Sequence, residues 1–330
     1  MRRIIKILIT WTLLSNLLAD DAKLLGLKAK SSLENLAVGT IEINQPEIEK
    51  FHGQSATDIL ENYAGIRLVK PSAELGSATG IIFRGMPNSN YSLVLLDGQP
   101  INTSALGGAD LSIIDLNTIE KIEIIKSGNA SILGNGAVGG AINFISKQSQ
   151  TKNQITTDFG SYGYQKFALN MNTNNKKTKL NYGISDTSYL GKRENSNYYS
   201  KNFNANLTRN LTENSELKFR YFYQNTDLAV PGSITYPTPK DKMNSQTNLL
   251  QTEYKKFIEL NELYCRMFVN QQTKNDTDPD VFKNDNFLEK KYGFETRANL
   301  ENGLVFGYQL EYDEAKKYDI TNSANIYDKS

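Results

Sequence analysis

From residue 151 onward, polar and apolar side chains trade places at every position over runs of about ten residues. A period of two fixes the backbone as extended and gives each strand two unlike faces. In 216–224 one face carries Leu217, Phe219, Tyr221 and Tyr223, and the other Glu216, Lys218, Arg220, Phe222 and Gln224. In 303–313, Leu304, Phe306, Tyr308, Leu310 and Tyr312 oppose Val305, Gly307, Gln309, Glu311 and Asp313. Weaker copies run through 155–159, 167–171, 180–184, 203–209, 247–257, 263–269 and 292–300, so nine strands are predicted. Short polar links at 172–177, 210–214, 258–261 and 301–303 alternate with longer ones near 186–198, 228–244 and 272–287. Short turns on one side and long loops on the other describe a transmembrane β-barrel. A soluble β-sandwich explains the alternation nearly as well, and the choice rests on the rest of the chain.

Composition favours the barrel. Mean hydropathy is −0.48, polar even for a soluble protein, yet Tyr and Phe number 18 and 14. Alternating strands with one aromatic face and one polar face give this pairing, and a bundle of membrane helices does not. Lys plus Arg total 37 against 36 for Asp plus Glu, so no long-range field points to nucleic acid. The single cysteine, Cys265, excludes an intramolecular disulfide and a cysteine-based zinc cage. With one histidine, His52, few routes to nucleophilic or metal-assisted catalysis remain. No enzyme is expected, and no cofactor.

The N-terminus reads as an address. Arg2, Arg3 and Lys6 precede a largely apolar run over 7–18 that ends at Ala19-Asp20. This is the layout of a secretory signal peptide over 1–19, too short for a lasting membrane anchor. Leu17 stands where a small residue is preferred, so a retained helix is the alternative. Residues 20–36 are charged, lack a period and read as a mobile arm.

Between 37 and 147 the chain predicts a small α+β unit of two short helices and about six short strands. Val38 to Ile43 reads as a strand, and Pro46 suits the first turn of a helix. Ser55 with Asp58 forms a capping pattern, and Gly65 ends the helix that follows. Asp97-Gly98 between apolar runs predicts a hairpin turn. Gly134, Gly136 and Gly139 fit the dinucleotide pattern G-x-G-x-x-G, with Asp158 about 20 residues on. That fingerprint works only when the last glycine opens a helix. Here Gly140 leads into the β-branched run 141–145, so a tight turn between strands is the better reading.

Four ordered pieces then carry a resemblance: FRG at 83–85, LVLLDGQPIN at 93–102, DLSIIDLNTIEKIEIIKSG at 110–128 and LGNGAVGGAINFISK at 133–147. Residues 37–150 resemble the plug domain of TonB-dependent outer-membrane receptors, with local departures at 127–129 and at Leu133. The resemblance makes Gly85, Asp97, Gly98, Gly134, Gly136, Gly139 and Gly140 plug turns, and 151–330 the first part of the barrel. The fold class is then an α+β plug followed by antiparallel transmembrane β-barrel strands. Such receptors enclose the plug in a barrel of about 22 strands. Nine cannot supply that, and an odd number cannot close an antiparallel barrel, so a truncated form is expected.

By the same resemblance the function is uptake of a scarce nutrient complex, a ferric siderophore, haem or cobalamin. The partners are TonB and outer-membrane lipid, and no nucleic acid is involved. Ligand would bias the plug and release the 20–36 arm to TonB, with 24–29 or 36–40 as pairing segments. Arg84 and Lys126 occupy positions where the family places cations that lock onto wall carboxylates, for which solvated surface charge is the alternative. A passive porin or adhesin barrel and a secreted β-rich binding domain are the rival functions. Asp276, Asp278 and Asp280 suggest calcium, but Val281 and Phe287 stand where an EF-hand requires Gly and Glu, which favours a solvated loop. Tyr189, Tyr198, Tyr199 and Tyr236 are loop aromatics that suit either a ligand or a barrel rim.

Overall fold

The computed structural model describes residues 40–51, 55–69, 75–76, 79–103, 108–126, 136–148, 152–319 and 324–329. The expected signal peptide and arm, His52, Gly134 and the 127–129 turn lie outside these residues. The order begins with β1 (Thr40–Asn44) and α1 (Gln45–Ile48), whose first turn holds Pro46. Next comes α2 (Ala56–Leu60), entered through Ser55, whose backbone N–H donates to Asp58 Oδ2 over 2.8 Å. β2 (Ile66–Val69), β3 (Gly80–Phe83), β4 (Ser92–Leu96), β5 (Gln99–Pro100), β6 (Ile119–Ile125) and β7 (Gly140–Ser146) complete the first unit.

Five of these strands form a sheet in the order β1-β6-β7-β4-β5, and β2 and β3 pair separately. The β4–β7 pair is parallel; the other pairs of that sheet are antiparallel. Ile122 and Ile124 of β6 with Ile142 and Phe144 of β7 bury one face completely against Ile43, Ile59, Leu60 and Phe83. Each such side chain taken from water contributes about 1.5–3 kcal/mol. The opposite face holds a smaller cluster of Leu93, Leu95, Ile125, Ala137 and Ala141.

The rest of the chain is one antiparallel meander: β8 (Gln154–Phe159), β9 (Gln165–Asn174), β10 (Thr178–Tyr189), β11 (Tyr198–Thr212), β12 (Ser215–Ala229), β13 (Lys242–Ile258), β14 (Asn261–Asp278), β15 (Lys283–Asn299), β16 (Val305–Asp319) and β17 (Ala324–Lys329). All nine predicted strands are present, and β17 is a tenth. Ile155, Ile184, Leu250, Met267, Tyr292 and Leu310 stand exposed on one face. The other face turns polar groups toward the first unit. No helix among the described residues is long and apolar enough to cross a membrane.

One predicted loop changes. The loop predicted over 272–287 is mostly strand, with only a 3-10 turn at Pro279–Val281 between β14 and β15. At ~3.3 Å per residue these strands exceed the ~25 Å apolar band of an outer-membrane wall. Their outer ends project beyond it and need no apolar face. Phe222, an exception on the polar face of its strand, pairs across strands with Leu249, and both join the core of the first unit.

Candidate functional site

The site begins at the β4–β5 hairpin. Asp97 and Gly98 both have positive φ, 51° and 78°, the type I′ geometry that a two-residue turn requires. Asp97 Oδ1 accepts from the Ser146 N–H at 3.0 Å and Oδ2 from the Ser146 hydroxyl at 2.6 Å, tying the turn to the end of β7. Gly98 N–H donates to Asn143 Oδ1 at 3.0 Å, and Asn143 Nδ2 donates to Glu123 Oε2 at 3.1 Å. Asn102 braces β4, accepting from Val94 N–H at 2.7 Å and donating to Ser92 O at 2.8 Å.

Wall side chains close on this segment. Arg266 of β14 donates to the Gly98 carbonyl at 2.8 Å and is neutralised by Glu295 of β15 at 2.7 Å. Arg220 of β12 lies 2.9 Å from Glu253 and 3.8 Å from Asp97. Gln251 donates to Asp97 O, and Lys291 to Asn102 O, each at 3.3 Å. Lys274 pairs with Asp110 at 3.2 Å and Lys166 with Asp115 at 2.7 Å. The plug segment 97–115 therefore presents carboxylates and carbonyls, and the wall presents the cations.

Asp115 is the most enclosed of these carboxylates. Burial alone would raise its pKa, but the Lys166 ammonium, with donors from Ser185 and the Asn117 N–H, holds it below the usual carboxylate range. Glu123, inside the plug sheet, goes the other way: burial pushes its carboxyl up against the opposing pull of Lys121 at 2.8 Å.

Arg84 and Lys126 meet each other, Arg84 Nη1 donating to the Lys126 carbonyl at 3.1 Å. Arg84 itself has φ +52° and is exposed beside Gly85. Among the described residues, the plug–wall ion pairs run through Asp97, Asp110 and Asp115. Gly136 and Gly140 take φ of +91° and +150°, and Gly139 lies where a Cβ would sit 3.0 Å from Tyr91 O. Gly140 opens β7 and no helix, so no helix N-terminus is there to receive a pyrophosphate.

Asp276 and Asp278 stand on β14 and Asp280 in the turn after it. Asp276 pairs with Lys283 and Asp280 with Lys240, each at 2.6 Å. Among the described residues no group of three acidic, His or Cys side chains is placed to hold a metal. Tyr189 and Tyr198 are register partners at the ends of β10 and β11, buried with Leu228, whereas Tyr199 and Tyr236 are exposed. Above the seam, at the long-loop end, lies a cavity of about 580 Å³ between plug and wall.

An α+β unit clamped to the polar face of a long antiparallel wall is the architecture of a plugged β-barrel. Residues 32–141 match the TonB-dependent Receptor Plug Domain family. The chain is 28% identical over 197 residues to the Vitamin B12 transporter BtuB of Vibrio vulnificus, covering 56% of this chain and 32% of that protein. It is 31% identical over 134 residues to the Vitamin B12 transporter BtuB of Photobacterium profundum, covering 40% and 22%. Its fold matches the siderophore receptor PiuA from Acinetobacter baumannii with a TM-score of 0.68 at 14% identity, covering 88% of this chain and 48% of that one. The chain thus spans a third or less of these curated relatives and about half of the solved receptor.

Proposed function

We propose that this chain provides the plug and leading wall strands of an outer-membrane receptor that takes up a scarce nutrient complex: cobalamin, haem or a ferric siderophore. The observation that carries this reading is the docking of a plug-family domain onto the wall through the buried 97–115 seam. A plug so held blocks passive flow, so passage requires work on the plug, which the reading assigns to TonB acting on the 20–36 arm. The charged seam suits that role, because buried ion pairs hold one register firmly and resist partial separation. No bond of the cargo is made or broken, so the protein is a carrier and not an enzyme. Residues 1–19 would direct export and be removed, which N-terminal sequencing of the membrane-bound protein checks.

Arg84 and Lys126 are proposed as cationic contacts to wall carboxylates. In the full receptor Arg84→Ala is then expected to speed hydrogen exchange over 80–86, and unchanged rates reject the role.

The test of the whole reading is uptake. Cells lacking their own receptors and expressing the full receptor should accumulate cyanocobalamin, haemin or a ferric siderophore only when TonB is present. Accumulation indifferent to TonB, with passage of small sugars, would instead establish a passive pore.

A further inference from the structure

Away from the seam, a second group of carboxylates gathers at the outer ends of β13, β14 and β15. Asp241 lies one step beyond the ladder pair Lys242–Thr277, so register sets it opposite Asp278. Asp278 in turn opposes Lys283 of β15, and Asp276 stands on the same face two residues earlier on β14. Asp241 and Asp278 are buried, at 8% and 4% exposure.

The cations here are spoken for. Lys283 pairs with Asp276 at 2.6 Å, and Lys317 with Asp285, the register partner of Asp276, at 2.9 Å. Lys240 turns outward to Asp280. Among the described residues Asp241 has no cation at ion-pair distance and feels Lys283 from further away. Its Oδ1 and that of Asp276 are both buried without a donor. The two carboxyl groups lie within hydrogen-bonding reach, which two carboxylates resist and a carboxyl with a carboxylate accepts. Burial, with the negative charge of Asp276 and Asp278 outweighing Lys283, pushes Asp241 up to about 6.

Asp241 also closes a loop. Its carbonyl accepts from the Val230 N–H at 2.9 Å, joining the two ends of 230–241. Asn195 Nδ2 reaches the carbonyls of Asp241 at 2.9 Å, Thr238 at 2.7 Å and Val230 at 3.1 Å. Arg193 donates to Gly232 O at 3.0 Å and to Ser233 O at 3.2 Å. The loops 190–197 and 230–241 are thereby one block. Toward β14 and its turn, that block offers the buried Asp241–Asp276 contact and the exposed Lys240–Asp280 pair, and exposed pairs hold little.

We propose that Asp241 is a proton-operated latch: protonated, it donates to Asp276 and holds the outer loop block against β14; ionised, it is repelled and the base of the loop opens. The proton comes from solvent, and no other reactant is needed. The closed state binds this proton more tightly than the open one, so closure strengthens as pH falls from above 6 toward the ordinary carboxylate value of about 4. Asp115 in the seam responds below that window, so the two effects separate. The latch goes beyond the uptake reading and is independent of the cargo.

Hydrogen exchange of the protein in detergent, corrected for intrinsic rates and followed at pH 5, 6 and 7.5, tests it. Protection of 228–244 should be about tenfold greater at pH 5 than at pH 7.5, with 97–102 unchanged. Asp241→Asn, whose amide can donate to Asp276 at every pH, should show the acid level of protection throughout. Asp276→Asn, which removes the neighbouring charge, should lose most of the pH dependence. Equal protection of the parent at the three pH values, or a tenfold change retained in Asp241→Asn, would overturn the latch. Should Asp241→Asn fail to fold, seen as lost protection at 97–102, a full pH response in Asp276→Asn would overturn it equally.

Discussion

The Arg266 guanidinium spans the plug and the wall, with Nη1 2.8 Å from the carbonyl oxygen of Gly98 and Nη2 2.7 Å from Glu295. Both side chains are almost fully buried, at 4% and 7% exposure, so neither charge has water to fall back on. Arg266→Leu leaves Glu295 only the longer pairing with Arg297, at 3.7 Å, and is expected to cost on the order of 3 kcal/mol. The loss should register locally, as faster hydrogen exchange at the amides of 97–102. Protection in that hairpin matching the parent would show that the arginine is dispensable.

Asp115 gives the seam a defined pH response. Its folded pKa lies below its unfolded value because the pull of Lys166, Ser185 and the Asn117 N–H outweighs burial. Its contribution is therefore present above the unfolded carboxylate pKa of about 4 and is lost as pH falls through the lower folded value. Asp115→Asn should destabilise the plug at pH 7 and converge with the parent in acid. Denaturation of both proteins across pH 2–8 checks this, and a constant difference would place the effect in packing.

Two plug glycines should respond differently to alanine. At Gly140 a Cβ would sit 2.6 Å from the Ile125 carbonyl oxygen at φ +150°, a collision with backbone. At Gly85, φ +72°, nothing lies within 4 Å. Gly85→Ala should cost about 1 kcal/mol, the ordinary left-handed penalty. Gly140→Ala should cost more than ~2 kcal/mol and disturb the β6–β7 pairing. Limited proteolysis of the folded protein separates the two, and equal resistance would contradict this difference.

The outer face should behave as a lipid contact. Leu250, Val269, Tyr292 and Tyr312 form one row across β13 to β16 by register, and all four are exposed. Val269→Arg should cost about 2–4 kcal/mol in a bilayer, as a cation near the midplane of a barrel wall does. Folding yield into vesicles, read by heat-modifiable gel mobility, measures this. An unaffected yield would mean that this row faces water.

The wall was legible in the sequence because a period of two survives any choice of partner. Tyr221 and Arg220 fall on opposite faces whatever lies beside them. Strand ends were less legible: the polar run from Gln271 to Asp278 carries no apolar alternation, and its strand state is set by pairing with β13 and β15. The tenth strand, β17, is short and follows no aromatic run. In the plug, the parallel β4–β7 pair joins residues far apart in sequence and leaves no local mark. The seam was hidden for the same reason, since Lys166, Arg220 and Arg266 look like ordinary polar-face residues until register sets them against 97–115. The sequence drew attention to Arg84 and Lys126 through resemblance, whereas Lys166, Arg220 and Arg266, which meet the plug from the wall, carry no motif of their own.

The strand order β1-β6-β7-β4-β5 also carries a temporal consequence. β7 sits between β6 and β4, yet it is the last of the five to leave a chain delivered N-terminus first. Until Ser146 emerges, β4 and β6 have no shared neighbour, and the faces of Ile122, Ile124 and Val94 remain open. Pairings so distant in sequence close slowly. The first wall strand starts at Gln154, only a few residues later. Completion of the plug sheet and birth of the wall are thus nearly simultaneous, and an escort that shields apolar surface is needed most while residues 92–146 are in transit.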